Sequence, residues 1–147
     1  MAALTQDRNT PRAQGDVWRG GVAASVKIYA GAIVMRNATG FLTKGQTAVG
    51  LVGVGRAEEQ VTGGTNAGDV DLNYRPGVFR FANSTSDDLI TIADIGKPCY
   101  AVDDQTVAKT HATNTRSIAG FVASVEAQGV WVEFDEARVR SHLAGIA

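Results

Sequence analysis

The chain is poor in the residues on which most metalloenzymes and disulfide-rich proteins depend. Its 147 residues include one cysteine, two histidines and three prolines, and only 7% are aromatic. Cys99 cannot form an internal disulfide, and its apolar neighbours predict a small buried side chain. This cysteine usage fits synthesis in a reducing cytoplasm. Neither His111 nor His142 has a partner at metal-ligand spacing, so we expect no histidine-based metal site.

The chain also lacks a strong charge of either sign and a long apolar run. Its net charge is −1 at pH 7, and no basic cluster with interleaved aromatic residues is present. We therefore expect no nucleic-acid partner. No apolar stretch approaches the roughly 20 residues of a membrane span, and the polar N-terminus lacks the apolar core of a signal peptide. We expect no membrane partner either.

Catalytic motifs are missing as well. No Gly-x-Ser-x-Gly elbow occurs, and Gly50, Gly53 and Gly55 stand in the wrong order for a dinucleotide-binding loop. The acidic pairs Asp87-Asp88 and Asp103-Asp104 lack the ligand spacing of a calcium loop. Helix capping explains the first pair and turn chemistry the second, with a bound cation as the alternative. We expect no catalytic residue, no cofactor and no metal, and therefore not an enzyme.

Glycine and β-branched residues, in contrast, are abundant. The 17 glycines supply positions for positive φ or for close backbone approach, and Val, Ile and Thr recur in short runs between turn residues. Strand candidates span residues 22–29, 33–36, 41–43, 49–61, 69–74, 78–81, 99–102, 106–109, 118–125 and 130–134. The predicted fold class is all-β, a compact body of short antiparallel strands. It fits either a sandwich or a small barrel.

One or two short helices complete the prediction. Residues 84–88 supply N-cap hydroxyls and first-turn acids for a helix from residue 89 to about residue 95, although its β-branched residues weaken that interpretation. Residues 135–143 predict a terminal helix with a Glu136–Arg140 pair.

Three regions differ in composition. Residues 1–20 form an extended N-terminal arm with almost no large apolar side chain, which cannot offset its ordering entropy by its own burial. We expect either a frayed terminus or an arm that orders against a partner subunit, with Trp18 anchoring it to the body. Residues 21–134 form the β-rich body, and residues 135–147 form a short C-terminal helix or tail.

The β-rich body repeats a pattern of strands and glycines. The separation is 65 positions for Gly31 and Gly96 and for Lys44 and Lys109, and it grows to 70 for Gly50 and Gly120. The pattern favours an internal duplication over about residues 28–61 and 93–134, with chance similarity of short apolar runs as the alternative. Because the copies differ mainly at their loops, we expect function on the surface.

Several stretches of the chain together resemble one known family. They span residues 28–34, 52–59, 77–83, 95–97, 100–108 and 129–132. They are similar to small head proteins of tailed phages and prophages, Mu-like and related, some of which act as capsid cement or decoration proteins. The resemblance covers roughly residues 8–134 and consists of strands and glycines rather than a catalytic signature.

The resemblance implies a structural virion protein that is made in the host bacterial cytoplasm and binds the exterior of a phage capsid. Its partners would be the major capsid protein and itself, as a homodimer or homotrimer, and it would stabilise the shell by bridging capsid subunits. Our candidates for capsid or subunit contact are Arg8, Pro11, Arg12, Trp18 and Arg75.

The alternative function is a glycan- or cell-surface-binding β-module of a phage tail or fibre. Such a module needs an exposed aromatic platform, and Tyr74 and Trp131 are the candidates for it.

Overall fold

Twelve strands, two 3₁₀ turns and one α-helix form from residues 2–13 and 15–146, which are the residues described by the computed structural model. The strands are β1 Trp18–Gly21, β2 Lys27–Ile28, β3 Ile33–Arg36, β4 Leu42–Lys44, β5 Val52–Ala57, β6 Val61–Thr62, β7 Asp71–Arg75, β8 Gly77–Phe81, β9 Pro98–Ala101, β10 Val107–Ala108, β11 Ile118–Glu126 and β12 Gly129–Phe134. The 3₁₀ turns are Ser86–Asp88 and Ile92–Asp94, and helix α1 is Glu136–Gly145. The predicted all-β fold class is confirmed.

Two curled five-stranded sheets make up most of the molecule. The first has the order β1-β7-β5-β3-β4 and the second the order β10-β9-β11-β12-β8, while β2 and β6 form a separate pair. A parallel bridge between Val22 and Leu42 joins the edges of the first sheet, and one between Ala82 and Thr106 joins those of the second. Each sheet therefore closes on itself, and we call them the first and the second barrel.

The two barrels have the same connectivity. Strands β1, β3, β4, β5 and β7 occupy the places in the first barrel that β8, β9, β10, β11 and β12 occupy in the second, in the same chain order. The register agrees as well: Met35 pairs with Gly53 in the first barrel, and Tyr100 pairs with Ile118 in the second, 65 positions later. A bulge follows each of these pairs in β5 and in β11.

The separation between equivalent positions stays at 65 from β3 to β5 in the first barrel and from β9 to β11 in the second. Gly120 corresponds to Gly55, and the predicted growth to 70 at Gly50 is wrong. Gly55 and Gly120 are equivalent because each directly follows the bulge of its strand. A Cβ on Gly55 would overlap the carbonyl oxygen of Arg75, and one on Gly120 would overlap that of Glu133. Gly50 instead lies before β5 with a φ of 77° and open space around it.

Each barrel encloses its own apolar core. The first core contains Val22, Ile28, Ala32, Val34, Leu42, Val54, Ala57, Leu72 and Tyr74. The second contains Phe81, Ile90, Cys99, Ala101, Val107, Ala119, Val122, Val130, Val132 and Phe134, together with Ile33 and Met35 from β3. Because successive side chains of a strand point to opposite faces, β3 contributes to both cores. The barrels are therefore packed together rather than merely linked.

Cys99 is a small buried side chain, as the sequence predicts. It is 0% exposed, and burial raises the pKa of its thiol to about 12. At neutral pH the group stays protonated and packs as an apolar residue.

The predicted arm and two of the predicted strands are shorter than expected. The first barrel begins with β1 at Trp18, so the last three positions of the predicted arm belong to the sheet. The chain then turns around Ser25, whose φ is 59°, and this turn divides the predicted strand 22–29. The predicted strand 49–61 is divided between β5 and β6, because the chain bends after Ala57.

The predicted helix from residue 89 to about residue 95 is wrong. Leu89 and Thr91 have extended backbone on either side of the buried Ile90, and only the flanking residues form 3₁₀ turns. Asn83 explains the difference, since its side chain donates to the carbonyl of Ile90 and accepts from its N–H. These bonds and the β-branched side chains of residues 90–92 favour extended backbone.

The other predicted elements form as expected. Helix α1 begins after Asp135, whose carboxylate accepts a hydrogen bond from the N–H of Arg138. Residues 37–40 connect β3 to β4 in an antiparallel hairpin. In the second hairpin, Asp103 accepts from the N–H of Gln105, which is the predicted turn chemistry.

Substituting Gly53 tests the contact between the barrels. A Cβ at this position would overlap the backbone of Ala119 in β11, so G53A should lower the free energy of unfolding by about 3 kcal/mol. Urea unfolding monitored by circular dichroism measures the change. The matched control is G145A at the end of α1, where an added Cβ meets no atom within 4 Å, and it should stay within about 0.5 kcal/mol of the wild type. Equal stability of G53A and wild type would contradict the proposed close packing.

Candidate functional site

An open groove lies at the seam between the two barrels and the beginning of α1. The chain passes from β7 in the first barrel to β8 in the second through a single residue, Pro76, which lines the groove. Helix α1 follows β12 and returns over the seam, where its Val139 is fully buried. The space that remains has a volume of about 790 Å³. A cavity of this size falls within the range of ligand-binding sites.

Apolar side chains cover the floor and one rim of the groove. Val54, Tyr74 and Phe134 are buried and form part of its lining. Trp18 and Val78 also line it but remain 49% and 45% exposed. We call this site the Trp18 groove.

The N-terminal arm leaves the body at the rim of the Trp18 groove. Trp18 lies in β1 opposite Tyr74, and its indole Nε1 donates to the carbonyl of Gly15 at 3.1 Å. Gly15 itself lines the groove. The hydrogen bond fixes the root of the arm beside the open apolar surface.

A charged network forms the opposite side of the groove. The Nε of Arg36 lies 3.0 Å from Glu136 Oε2, and the Nη2 of Arg140 lies 2.8 Å from the same oxygen. Arg36 also donates to the hydroxyl of Tyr74 at 3.0 Å. The network therefore ties α1 to the first barrel. Burial alone would raise the pKa of Glu136, but hydrogen bonds and charge from Arg140 and Arg36 outweigh it and lower the pKa.

Carboxylates outnumber guanidinium groups along this side. Glu133, Asp135 and Glu136 line the groove together with Arg36 and Arg140. This set of side chains carries a net formal charge of −1 at neutral pH. Glu133 also pairs with the Nη1 of Arg138 at 2.6 Å, so the groove combines an apolar floor with a charged rim that is close to neutral as a whole.

Of the five candidate contact residues, the structure places only Trp18 in the groove. Arg8, Pro11 and Arg12 lie exposed on the arm, outside the groove lining. Arg75 is next to Tyr74 in β7, but alternation directs its side chain to the other face of the strand.

Arg75 belongs to a separate charged cluster. Its Nε lies 2.7 Å from Glu58 Oε1, and Arg56 Nη2 lies 3.0 Å from the same oxygen. Hydrogen bonds from Arg75 and Arg56 lower the pKa of Glu58. Glu58 thus balances two cations, Arg56 of β5 and Arg75 of the neighbouring β7.

The sequence does not single out Arg36, Val78 or Phe134 as site residues. Arg36 and Glu136 are 100 positions apart, so no local pattern connects them. The spacing of Glu136 and Arg140 is the one signal of the network that the sequence contains, and their predicted pair is confirmed.

The aromatic pair considered for glycan binding is not a joint surface. Tyr74 is 6% exposed in the first core. Trp131 lies in the second barrel, where the guanidinium of Arg80 is 5.7 Å from its ring centroid. The half-exposed aromatic side chain at the groove is Trp18.

Residues 2–13 and 15–146 contain no group of three or more His, Cys, Asp or Glu side chains placed to hold a metal ion. Over the same residues, no helix is both long and apolar enough to cross a membrane. Comparison of the chain with protein-family models, with curated proteins and with solved structures found no match.

Glu136→Gln tests the charged network. The substitution should lower the free energy of unfolding at pH 7 by about 1 kcal/mol, because Arg36 and Arg140 lose a charged acceptor. The folded-state pKa of Glu136 lies below the unfolded value of about 4.3, so its contribution is present above that value and disappears as the pH falls through the folded-state pKa. Urea unfolding at several pH values should show the stabilities of wild type and E136Q converging as the pH is lowered below the unfolded-state pKa of about 4.3.

Glu126→Gln is the matched control for E136Q. Glu126 pairs with Arg80 on an exposed strand surface, where both side chains are at least 40% accessible. We expect a change below about 0.5 kcal/mol. A stability difference between E136Q and wild type that does not vary between pH 7 and pH 3 would contradict the role assigned to the Glu136 carboxylate.

Proposed function

We propose that the chain is a structural virion protein, a capsid cement or decoration protein. It binds the outer surface of a phage head and stabilises the shell by bridging major capsid protein subunits, after synthesis in the host bacterial cytoplasm. The observation that carries the proposal is an exposed N-terminal arm on a closely packed double barrel. The resemblance of residues 8–134 to small tailed-phage head proteins supports it.

The arm has the properties of a bridging segment. Residues 2–13 are exposed throughout, and Leu4 is 72% exposed. A segment that buries nothing on its own body can offset its ordering entropy only against another surface. Fully extended at about 3.3 Å per residue, these twelve residues span roughly 40 Å, which is enough to reach a neighbouring subunit.

Thermodynamic linkage explains how such a protein would stabilise a shell. A protein that binds the assembled capsid but not its separate subunits lowers the free energy of the assembled state. Individual contacts can be weak, because a homodimer or homotrimer that bridges several sites gains from effective concentration. This mechanism requires self-association and surface contacts but no catalytic group.

A glycan-binding module of a tail or fibre is the second candidate function. The half-exposed Trp18 beside a charged rim favours it, because sugar-binding sites combine an aromatic face with polar groups. A single aromatic face offers less than the platform such modules use, so we rank it second.

An inventory of purified DNA-filled heads tests the proposal. Mass spectrometry should find this chain in a fixed ratio to the major capsid protein, with hundreds of copies per head as an order-of-magnitude expectation for a lattice-wide bridging role. A handful of copies would assign the chain to the portal vertex, neck or tail. Its complete absence from heads would overturn the virion proposal and favour the glycan-binding module, which a glycan array then tests.

Deleting residues 2–13 tests the bridging role of the arm. The truncation ends before β1 and should leave the unfolding free energy within about 0.5 kcal/mol of the full chain. Occupancy on purified capsids that lack the protein should fall by about tenfold or more, because the arm supplies part of the contact area. Occupancy equal to that of the full chain would contradict a bridging role.

A further inference from the structure

We propose that the Trp18 groove binds the N-terminal arm of a second copy of this chain, with an arginine of that arm over the Trp18 indole. This inference deepens the proposed function and rests on its self-association, since it names the surface through which neighbouring copies connect. In this arrangement the arm fills the groove, and Arg8 or Arg12 contacts the Trp18 indole.

The internal repeat shows what covers the equivalent position in the second barrel. Trp18 pairs with Tyr74 in the first barrel, and Phe79 pairs with Val132 at the corresponding place in the second. Phe79 does not face open solvent: the guanidinium of Arg56 from the first barrel lies 4.3 Å from its ring centroid. An arginine contributed by the preceding barrel thus covers this aromatic position.

Among the residues that the structure describes, no guanidinium lies over Trp18 as Arg56 lies over Phe79. The position corresponding to Phe79 is therefore 49% exposed in the first barrel, and Val78 beside it is 45% exposed. Both belong to one cavity of about 790 Å³ whose floor is apolar. An exposed apolar surface with a charged rim is typical of an interaction site.

The arm has the composition that fits this surface. It contains Arg8 and Arg12 as candidates to stack on the indole, and Leu4 as an apolar side chain for the floor. With Asp7, residues 2–13 carry a net side-chain charge of +1, and Asp135 of the groove is a carboxylate with no ion-pair partner among the residues that the structure describes. Opposite charges on the two surfaces favour their encounter and fix their register.

The arm of the same copy does not occupy the groove. Residues 2–13 are exposed and make no hydrogen bond to other residues that the structure describes. The arm also leaves the body at the groove rim, through Gly15. Exchange of arms between two copies fills both grooves with equivalent contacts, which is the closed arrangement that symmetric dimers use.

Charge reversal in the full-length chain tests the proposal. Sedimentation velocity should show that the wild type self-associates and that R8E/R12E weakens this association by about tenfold or more. K44E/K109E is the matched control, because it changes the net charge equally at two exposed positions outside the groove. Association of the control should stay within about twofold of the wild type.

A synthetic peptide of residues 2–13 provides a second readout. Trp131→Phe leaves Trp18 as the single tryptophan of the chain. Excess peptide should dissociate the oligomer of this full-length variant. Added to full-length R8E/R12E/W131F, whose grooves the altered arms leave largely unfilled, the peptide should enter the groove and shift the Trp18 emission to the blue. The same peptide with both arginines replaced by glutamate should do neither.

Three results would overturn arm exchange. They are a full-length chain that stays monomeric at about 100 µM, equal weakening by R8E/R12E and K44E/K109E, and no effect of the peptide on either readout. The outcome is separate from that of the head inventory. If the chain associates through its arm but is absent from heads, only the virion proposal is overturned. If the chain is present on heads but R8E/R12E does not weaken its association, only arm exchange is overturned.

Discussion

The structure depends on one close approach, the crossing of β5 and β11 where the two barrels meet. Gly53 lies against the backbone of Ala119 with no room for a side chain. Beside this contact, the Ser117 hydroxyl donates to the carbonyl of Ala48 and accepts from the N–H of Leu51. The buried hydroxyl is therefore satisfied at the same junction. The open part of the seam between the two barrels, at Pro76, is the Trp18 groove.

Helix α1 converts that seam into a defined site. Val139 packs with Val52, Ile118 and Phe121 at the junction, and Glu136 holds the first turn of the helix against Arg36 of the first barrel. The apolar contact and the ion pair act on successive turns of one helix. One wall of the groove is consequently fixed by both barrels at once.

Local patterns predict the strands and hairpins because alternation and turn residues act over a few positions. They also indicate the 65-residue repeat. The closure of each sheet and the Arg36–Glu136 pair depend on contacts between distant segments, for which the sequence has no local signal. The helix predicted after Asp88 fails for a related reason: its capping residues are visible, but the competing bonds from Asn83 to Ile90 are tertiary.

The sequence identifies Trp18 as a candidate contact residue, but it does not show how the surroundings of Trp18 differ from those of the equivalent Phe79. Trp18 and Phe79 occupy the same register position in two barrels of the same connectivity. The sequence alone does not distinguish them, because both are aromatic residues in short strands. Their difference arises from their neighbours, because Arg56 of the first barrel lies over Phe79, whereas no residue in the described part of the chain places a guanidinium over Trp18. In stacked repeats a face without a neighbouring unit stays exposed, and here the exposed face at Trp18 lies beside an arm that carries arginines.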